Sequence, residues 1–296
     1  MKVGVVSIVG RPNAGKSTLL NSIIGEKVVI TSDKPQTTRN QIQGIYNDSD
    51  SQIIFVDTPG IHKPKNKLGK YLNKESYSSL EGVDLVLFMM DASTDFGRGD
   101  EFVLDKIKEE NVDTFLILNK VDKINNEILF NKITEYKDKY DFKEIIPVSA
   151  LKNKNVDELI NTIKGYLNEG DPIYPSDYYT DKSTRFLVSE LIREKVLRKT
   201  REEVPHAITV VIEEFEEKKT SVLITATIIV EREGIKKILV GHNGSMIKEI
   251  GIDARKDIEN LVNKTVYLDL FVKTVNNWRD RDKYLTEFGF DNNNFE

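Results

Sequence analysis

The sequence predicts an α/β protein in which a mostly parallel, helix-covered sheet is followed by a smaller α+β domain. Over residues 1–168, short continuous runs of Val, Ile and Leu alternate with longer amphipathic stretches. This pattern is typical of parallel strands covered by helices on both faces. Two prolines break the pattern within residues 169–184, and we expect a linker there. Residues 185–296 then predict the order helix, strand, strand, helix, helix, strand.

The composition excludes several classes of protein. The 296 residues contain no cysteine, which excludes a disulfide scaffold, a zinc knuckle and thiol catalysis and fits a cytoplasmic protein. No stretch approaches the roughly 20 apolar residues that span a bilayer, and the apolar run after Lys2 predicts a buried strand. The net charge is −5, so any nucleic-acid site has to be a local basic patch.

The segment GRPNAGKS, residues 10–17, fits the phosphate-binding pattern G-x-x-x-x-G-K-[ST] between a predicted strand and a predicted helix. Its glycines allow successive backbone N–H groups to surround phosphate oxygens at the positive end of the helix. Lys16 is expected to reach the β- and γ-phosphates, and Ser17 to hold Mg²⁺. The predicted contacts in this loop are Gly10, Arg11, Pro12, Asn13, Ala14, Gly15, Lys16, Ser17 and Thr18.

Three further motifs each follow a predicted strand, where ligands of such sheets bind. DTPG begins with Asp57, expected beside the Mg²⁺ ion, and ends with Gly60, whose amide would face the γ-phosphate. NKVD ends with Asp122, which can accept both N1–H and N2–H of guanine, a pairing that adenine does not offer. SA, residues 149–150, would cap the guanine oxygen. The predicted contacts here are Asp57, Thr58, Pro59, Gly60, Ile61, Asn119, Lys120, Val121, Asp122, Ser149 and Ala150.

The polar stretch TSDKPQTTRN lies between the first two motifs and suits a switch loop. In such a loop a threonine completes the Mg²⁺ shell only when the γ-phosphate is present. Of the two adjacent threonines we assign this role to Thr38 rather than Thr37. The metal ligands are then predicted to be Ser17, Thr38 and Asp57.

These motifs together resemble the translation-factor-related GTPases, which implies hydrolysis of GTP to GDP and phosphate. Ras-like relatives carry a water-orienting glutamine directly after the DTPG glycine, whereas Ile61 stands there in this chain. We therefore expect slow intrinsic hydrolysis, with the missing group supplied from elsewhere. The expected catalytic residues are Lys16, Thr38, Gly60 and Asn13.

Asn13 has two interpretations, which the sequence leaves open. In similar GTPases an asparagine at this position of the phosphate-binding loop ligates a potassium ion that replaces an arginine finger. An asparagine is also an ordinary turn residue. Hydrolysis that runs equally fast in sodium and in potassium would contradict the first interpretation.

A second glycine loop, GHNG at residues 241–244, lies between the two predicted helices of the C-terminal domain. The element order around it is similar to that of a type II KH domain, in which this loop clamps about four unpaired nucleotides beside an apolar groove. Residues 232–256 carry six basic against three acidic side chains, a patch that would attract RNA phosphates. The predicted RNA contacts are Gly241, His242, Asn243, Gly244, Ile247, Lys248, Ile250, Arg232, Lys236, Lys237 and Arg255.

The order of the parts, and the runs IREK and VEREGIKKILVGHNGSMIKEIGIDARKDIE, closely resemble the Era family of bacterial GTPases over nearly the whole chain. The resemblance implies a monomeric switch that binds the single-stranded 3′ end of 16S rRNA and assists assembly of the 30S subunit. It also implies a cytoplasmic protein with peripheral association with the inner face of the membrane. Relatives place a lysine inside the glycine loop, whereas this chain has His242 and Asn243. We therefore expect weaker RNA binding that strengthens as His242 protonates.

An alternative of a different class is a signalling or membrane-associated GTPase whose C-terminal domain docks a protein. Its support is the basic helix predicted at residues 185–200, which could lie on lipid. The same helix serves equally well as the first helix of a KH domain. A tRNA-modifying GTPase with a catalytic cysteine is excluded because the chain has no cysteine.

Overall fold

The structure is a computed structural model that describes residues 1–34, 36–61, 64 and 66–290. Two compact units make up the chain. Unit 1 comprises residues 1–31, 38–63 and 72–181, and unit 2 comprises residues 32–37, 64–71 and 182–296.

Unit 1 contains a seven-stranded, mostly parallel sheet in the order β2-β3-β1-β4-β5-β6, with the short β7 paired antiparallel to β1. The strands are β1 Lys2–Gly10, β2 Ile42–Asn47, β3 Ser51–Asp57, β4 Leu85–Asp91, β5 Thr114–Asn119, β6 Glu144–Pro147 and β7 Asn168–Glu169. The helices are α1 Lys16–Ile24, α2 Lys67–Ser78, α3 Arg98–Glu110, α4 Asn126–Tyr136 and α5 Val156–Tyr166. The first turns of α2 are assigned to unit 2.

The central strands are buried on both faces, which explains why their sequences are continuous apolar runs. Every residue of β3 and β5 is buried. Because β1, β3, β4, β5 and β6 are parallel, their carboxyl ends lie at one edge, and the nucleotide motifs follow those ends. The predicted mostly parallel sheet is therefore confirmed.

The edge strand β2 runs antiparallel to β3 and was not predicted. Its sequence, IQGIYN, lacks a continuous apolar run and contains Gly44. A Cβ atom on Gly44 would lie 2.5 Å from Cδ1 of Leu20, so the glycine lets α1 pack closely against this strand.

Residues 173–181 of the predicted linker are held along the free edge of β2. The N–H of Ile45 donates to the carbonyl oxygen of Tyr179 at 3.0 Å. The N–H groups of Ile173 and Tyr174 both donate to Oε1 of Gln52, at 2.6 and 2.9 Å. This part of the predicted linker therefore belongs to unit 1 and is held there by hydrogen bonds.

Unit 2 has the order that the sequence predicts, with helices packed on a three-stranded sheet, β10-β9-β8. Its elements are α6 Thr184–Lys199, β8 Ile208–Glu217, β9 Ser221–Val230, α7 Glu233–Val240, α8 Ser245–Val262, β10 Thr265–Thr274 and α9 Asp282–Glu287. The sole tryptophan, Trp278, is fully buried, and its Nε1–H donates to the carbonyl oxygen of Ala207 at 3.2 Å. Packing is thus its role, as its residue type favours. None of the described helices is long and apolar enough to cross a membrane.

Candidate functional site: a nucleotide pocket and an RNA groove

The phosphate-binding loop joins β1 to α1 through backbone conformations that require glycine. Gly15 has a φ of +102°, in the left-handed region. A Cβ atom on Gly15 would lie 2.2 Å from Nδ2 of Asn119. The loop therefore closes directly onto the guanine motif, and the first turn of α1 begins at Lys16 with its N–H groups directed into the loop.

Ser17, Thr38 and Asp57 come together although they are far apart in the sequence. The Ser17 hydroxyl donates to Oδ2 of Asp57 at 2.7 Å and lies 2.9 Å from Oγ1 of Thr38. Oγ1 of Thr38 lies 3.3 Å from the same carboxylate oxygen. Thr37 is directed elsewhere, and its hydroxyl donates to the carbonyl oxygen of Lys34. The structure thus brings together the three predicted metal ligands.

This oxygen cluster fits a magnesium ion. Asp57 is fully buried, and its Oδ1 has no hydrogen-bond partner among the described residues. Mg²⁺ prefers two or three protein oxygens and keeps several waters. An unpartnered buried carboxylate oxygen beside two hydroxyl groups matches that preference.

Burial shifts the charged groups of the pocket toward their neutral forms. It lowers the pKa of Lys16, against the opposing effect of Asp57. It raises the pKa of Asp57, against the opposing effects of Lys16, Ser17 and Thr38. The Lys16 Nζ donates to the carbonyl oxygens of Gly10 and Arg11, both at 3.1 Å. A triphosphate with its cation would supply the partners that these buried charges need.

Gly60 and Ile61 have different positions in the pocket. A Cβ atom on Gly60 would lie 2.7 Å from Cα of Pro12, so only glycine allows this close approach to the phosphate-binding loop. The Ile61 side chain is 3% exposed and packs in the hydrophobic core with Val9 and Leu80. It therefore points away from the place where a water-orienting side chain would have to stand.

The guanine motif and the SA segment are linked by side-chain hydrogen bonds. Asn119 donates from Nδ2 to the carbonyl oxygen of Ala14 at 2.8 Å and accepts at Oδ1 from the N–H of Ala150 at 3.0 Å. The Ser149 hydroxyl donates to Oδ1 of Asp122 at 2.5 Å. This hydrogen bond lowers the pKa of Asp122 and keeps its carboxylate ionised as an acceptor. Asn119 thus joins three loops, and Ser149 orients Asp122, the residue that the sequence predicts to select the base.

Sequence reasoning missed two acidic residues near the phosphate-binding loop, of which Asp100 contacts the loop directly and Asp91 contacts it through Lys120. Asp91, the last residue of β4, accepts from Nζ of Lys120 at 2.6 Å. Asp100, in the first turn of α3, accepts from Nη1 of Arg11 at 2.9 Å. The sequence signal that could have identified Asp91 is its position, because it ends an apolar strand at the same sheet edge as the recognised motifs.

In unit 2, a groove of about 490 Å³ lies between α8 and β10. Its lining residues are Ile247, Lys248, Gly251, Ile252, Arg255, Val266, Tyr267, Leu268, Asp269 and Leu270. The glycine loop stands at the start of α8, with Gly241 at φ +74°, Asn243 at +50° and Gly244 at +77°. Three of the four residues thus have a positive φ, which glycine and asparagine adopt more readily than other residues.

Of the predicted RNA contacts, Ile247, Lys248 and Arg255 line this groove, but Ile250 does not. Ile250 is fully buried, as are Ala254 and Ile258. These three residues are spaced by four and form the core-facing side of α8, whereas Ile247 and Gly251 lie on the adjacent side. The expectation that Ile250 lines the groove is therefore corrected. Of the remaining basic contacts, Arg232 and Lys237 are exposed and Lys236 is half-buried.

The helix α6 does not offer a lipid-binding face. Its apolar residues Val188, Leu191 and Ile192 are buried. Its basic residues are paired within unit 2, because Lys195 donates to Asp257 and Lys199 donates to Glu249. The structural support for a membrane-docking module is thus removed, and α6 serves as the first helix of the C-terminal fold.

The comparisons with known proteins agree with this geometry. A family model described as 50S ribosome-binding GTPase matches residues 5–120, and one described as KH domain matches residues 203–279. A variant of Era from Aquifex aeolicus, solved with GDP and AlF4⁻, is 44% identical with a TM-score of 0.95. The match covers 98% of this chain and 99% of that one. Era solved with MgGDPNP and nucleotides 1506–1542 of 16S ribosomal RNA matches with the same identity, coverage and TM-score.

Proposed function

The chain belongs to the Era family of GTPases, and we propose that it is a GTP-hydrolysing switch. In this proposal it binds the single-stranded 3′ end of 16S rRNA and assists assembly of the 30S subunit. The observation that carries the proposal is the full-length similarity to Era solved with MgGDPNP and 16S rRNA nucleotides. The description of the broader family model names the large subunit, but that model matches only residues 5–120. The full-length match includes the RNA-binding unit and is therefore the more specific guide.

The nucleotide pocket binds and orients the substrate through groups that are already in place. The N–H groups of the phosphate-binding loop and the ammonium of Lys16 bind the phosphates, and Asp122 selects guanine. Ser17, Thr38 and Asp57 would hold Mg²⁺, which neutralises charge on the phosphates when bound. Thr38 reaches this cluster from the switch loop, so its position couples that loop to the γ-phosphate.

Hydrolysis is slow in this proposal because Ile61 stands where Ras-like relatives carry the glutamine that orients the attacking water, and an aliphatic side chain cannot take that role. The Ile61 side chain packs in the core. The N–H of Gly60 is expected to face the γ-phosphate. Asn13 would then ligate a potassium ion that supplies the missing charge. Single-turnover hydrolysis is expected to be faster in potassium than in sodium, and equal rates would contradict the role of Asn13.

The RNA site combines the glycine loop, the α8–β10 groove and the exposed basic side chains. The glycines of the loop would let phosphates approach its backbone closely, while Ile247 and Ile252 offer apolar surface to unpaired bases. Arg255 and Lys248 stand at the same groove and would bind phosphates.

The test is binding of a pyrimidine-rich single-stranded RNA to the purified protein loaded with GDP or with a non-hydrolysable GTP analogue. We expect nucleotide-dependent binding that weakens on substitution of Lys248 by Ala. Crosslinking to native 30S particles in the presence of the analogue then checks the target. A preference for ATP over GTP, or no RNA binding in either nucleotide state, would contradict the proposal.

The domain boundaries at residues 1–168 and 185–296, the action as a monomer, the cytoplasmic location and the peripheral membrane association are part of the same proposal. Their support is the family resemblance. Sedimentation with vesicles of bacterial inner-membrane lipids checks the membrane association, and protein that stays entirely in the supernatant would contradict it.

A further inference from the structure

Lys120 bridges the guanine motif to the phosphate-binding loop. Its Nζ donates to the carbonyl oxygen of Asn13 at 2.7 Å and to Oδ2 of Asp91 at 2.6 Å. The Lys120 side chain is 24% exposed and that of Asp91 is 18% exposed, so this ion pair is partly shielded from solvent. Partly buried ion pairs are screened less by salt than exposed ones.

Asp91 is itself held in one orientation. Its second oxygen, Oδ1, accepts from the N–H of Ser93 at 2.9 Å and from the hydroxyl of Ser93 at 2.6 Å. Burial raises the pKa of Asp91, but hydrogen bonds from Lys120 and Ser93 outweigh this effect and lower it. The carboxylate is therefore ionised and immobilised before any nucleotide arrives.

The same connection between β4 and α3 contacts the loop a second time. Asp100 is 4% exposed at its side chain and accepts from Arg11 at 2.9 Å and from the N–H of Gly97 at 3.0 Å. Residues 91–100 thus fix the outer side of the phosphate-binding loop at Arg11 and, through Lys120, at Asn13.

We propose that Asp91 is a positioning residue that slows release of the guanine nucleotide. It holds Lys120 against the carbonyl of Asn13 and so keeps the base pocket and the phosphate loop in fixed positions relative to each other. Asp91 lies outside the four nucleotide motifs, so they do not assign this role. The inference rests on the proposed function as a guanine-nucleotide switch. Without the carboxylate, the Lys120 ammonium loses one of its two protein partners and moves toward solvent. The Asn13 carbonyl then loses a charge-assisted hydrogen bond, and the loop opens more often.

The experiment measures the dissociation rate of a fluorescent GDP analogue from the full chain in the presence of Mg²⁺. Asp91→Asn removes the negative charge and turns an NH2 group toward a donor, either Lys120 or Ser93. It is expected to release the nucleotide about 10- to 100-fold faster, the range for loss of a charge-assisted hydrogen bond. Ser93→Ala removes only one support of the carboxylate, so a smaller increase in the same direction is expected. The Ser93 variant also keeps the test informative if Asp91→Asn folds poorly.

The matched control is Asp95→Asn. Asp95 lies in the same connection and pairs with Lys132 at 3.0 Å, but its side chain is fully exposed and has no hydrogen bond to Lys120 or Arg11. This variant removes the same charge and is expected to release GDP at the wild-type rate. A general effect of net charge or of loop stability would change both variants alike.

A double-mutant cycle distinguishes positioning from a separate structural effect. If Asp91 acts through Lys120, the double variant Asp91→Asn, Lys120→Ala releases GDP no faster than Lys120→Ala alone. The inference would be overturned if the fold-increases of the two single variants in GDP release multiplied in the double variant. It would also be overturned if Asp91→Asn released GDP at the same rate as Asp95→Asn. If the wild type holds no guanine nucleotide, the proposed function itself fails. If the wild type holds GDP and Asp91→Asn releases it at the same rate, only the role of Asp91 fails.

Discussion

At the scale of single residues, we expect Asp122 to determine which base the pocket accepts. Guanine offers two donors to this carboxylate, whereas xanthine offers one donor and one acceptor. Asp122→Asn should therefore weaken GDP binding by about 3 kcal/mol, roughly 100-fold, and improve binding of XDP. Competition between the two nucleotides for the purified variant measures the change. A variant that loses both nucleotides equally would show that the residue supports the fold rather than selecting the base.

Asp57 gives a prediction on pH dependence at the same scale. Burial raises its pKa in the nucleotide-free protein, so the folded state binds the proton more tightly than the unfolded state. The free energy of unfolding without metal should then rise as the pH falls from the raised folded pKa toward the ordinary carboxyl value of about 4. Asp57→Asn removes this buried charge and should be more stable than the wild type at pH 8.

The measurement for Asp57 is thermal unfolding of both proteins in EDTA, without nucleotide, between pH 4 and pH 8. The advantage of Asp57→Asn should shrink as the pH falls toward 4, because the raised pKa lets the wild-type carboxyl become protonated above its ordinary range. A difference between the two proteins that stays constant over this range would contradict the argument. With Mg²⁺ and GDP present, the order should reverse, since only the wild type keeps the carboxylate ligand.

At the scale of elements, we expect the glycine loop and α8 to act as one RNA-binding unit. The charge of the two central loop residues should then set the affinity for RNA. His242 and Asn243 are exposed, and Asn243 has a φ of +50°, which aspartate also tolerates. The double variant His242→Asp, Asn243→Asp should lose RNA binding by like-charge repulsion while its melting temperature stays within a few degrees of the wild type. Fluorescence anisotropy with a short single-stranded RNA measures the affinity.

The opposite change provides the control for the loop. His242→Lys adds one permanent positive charge at the same position and should strengthen RNA binding, with a salt dependence steeper by about 0.7 in log–log slope. If both variants weaken binding to the same degree, the loop conformation rather than its charge determines affinity.

The elements also show how far the sequence predicts the structure. The central strands were predictable because burial on both faces requires continuous apolar runs, as in β3 and β5. The edge strand β2 was not, because it contains Gly44 and pairs on one side with a strand and on the other with the linker. In α8, helical spacing predicted an apolar face but could not tell that Ile250 faces the core while Ile247 faces the groove.

The site was predictable where the chemistry lies within a motif and hidden where it depends on tertiary contacts. The phosphate loop and the guanine motif each carry their ligand groups in consecutive residues. Asp91 and Asp100 carry no motif of their own, and their partners Lys120 and Arg11 lie 29 and 89 residues away along the chain. A strand end at the ligand-binding edge was the sequence signal that could have drawn attention to Asp91.

At the scale of the whole molecule, an acidic protein has to attract an acidic polymer through a local patch. The chain has a net charge of −5, whereas residues 232–256 carry an excess of three positive charges. The basic patch attracts RNA phosphates, whereas the acidic rest of the surface repels them. Salt screens the repulsion more strongly, because it acts over longer distances than the direct contacts at the patch. RNA binding should therefore weaken with salt at moderate ionic strength, where direct phosphate contacts dominate.

The affinity for single-stranded RNA should fall with a log–log salt slope between about −2 and −4, the range for three to six phosphate contacts on a single strand. Titrations between 50 and 300 mM potassium chloride, with the GTP analogue bound throughout, measure this slope. Lys248→Ala should reduce its magnitude by about 0.7, because one phosphate contact is lost. Lys137, exposed on unit 1, gives a matched control, since removing it leaves the direct contacts intact and should leave the slope unchanged. A slope near zero would show that the C-terminal unit does not bind the RNA through its basic patch, whatever the affinity.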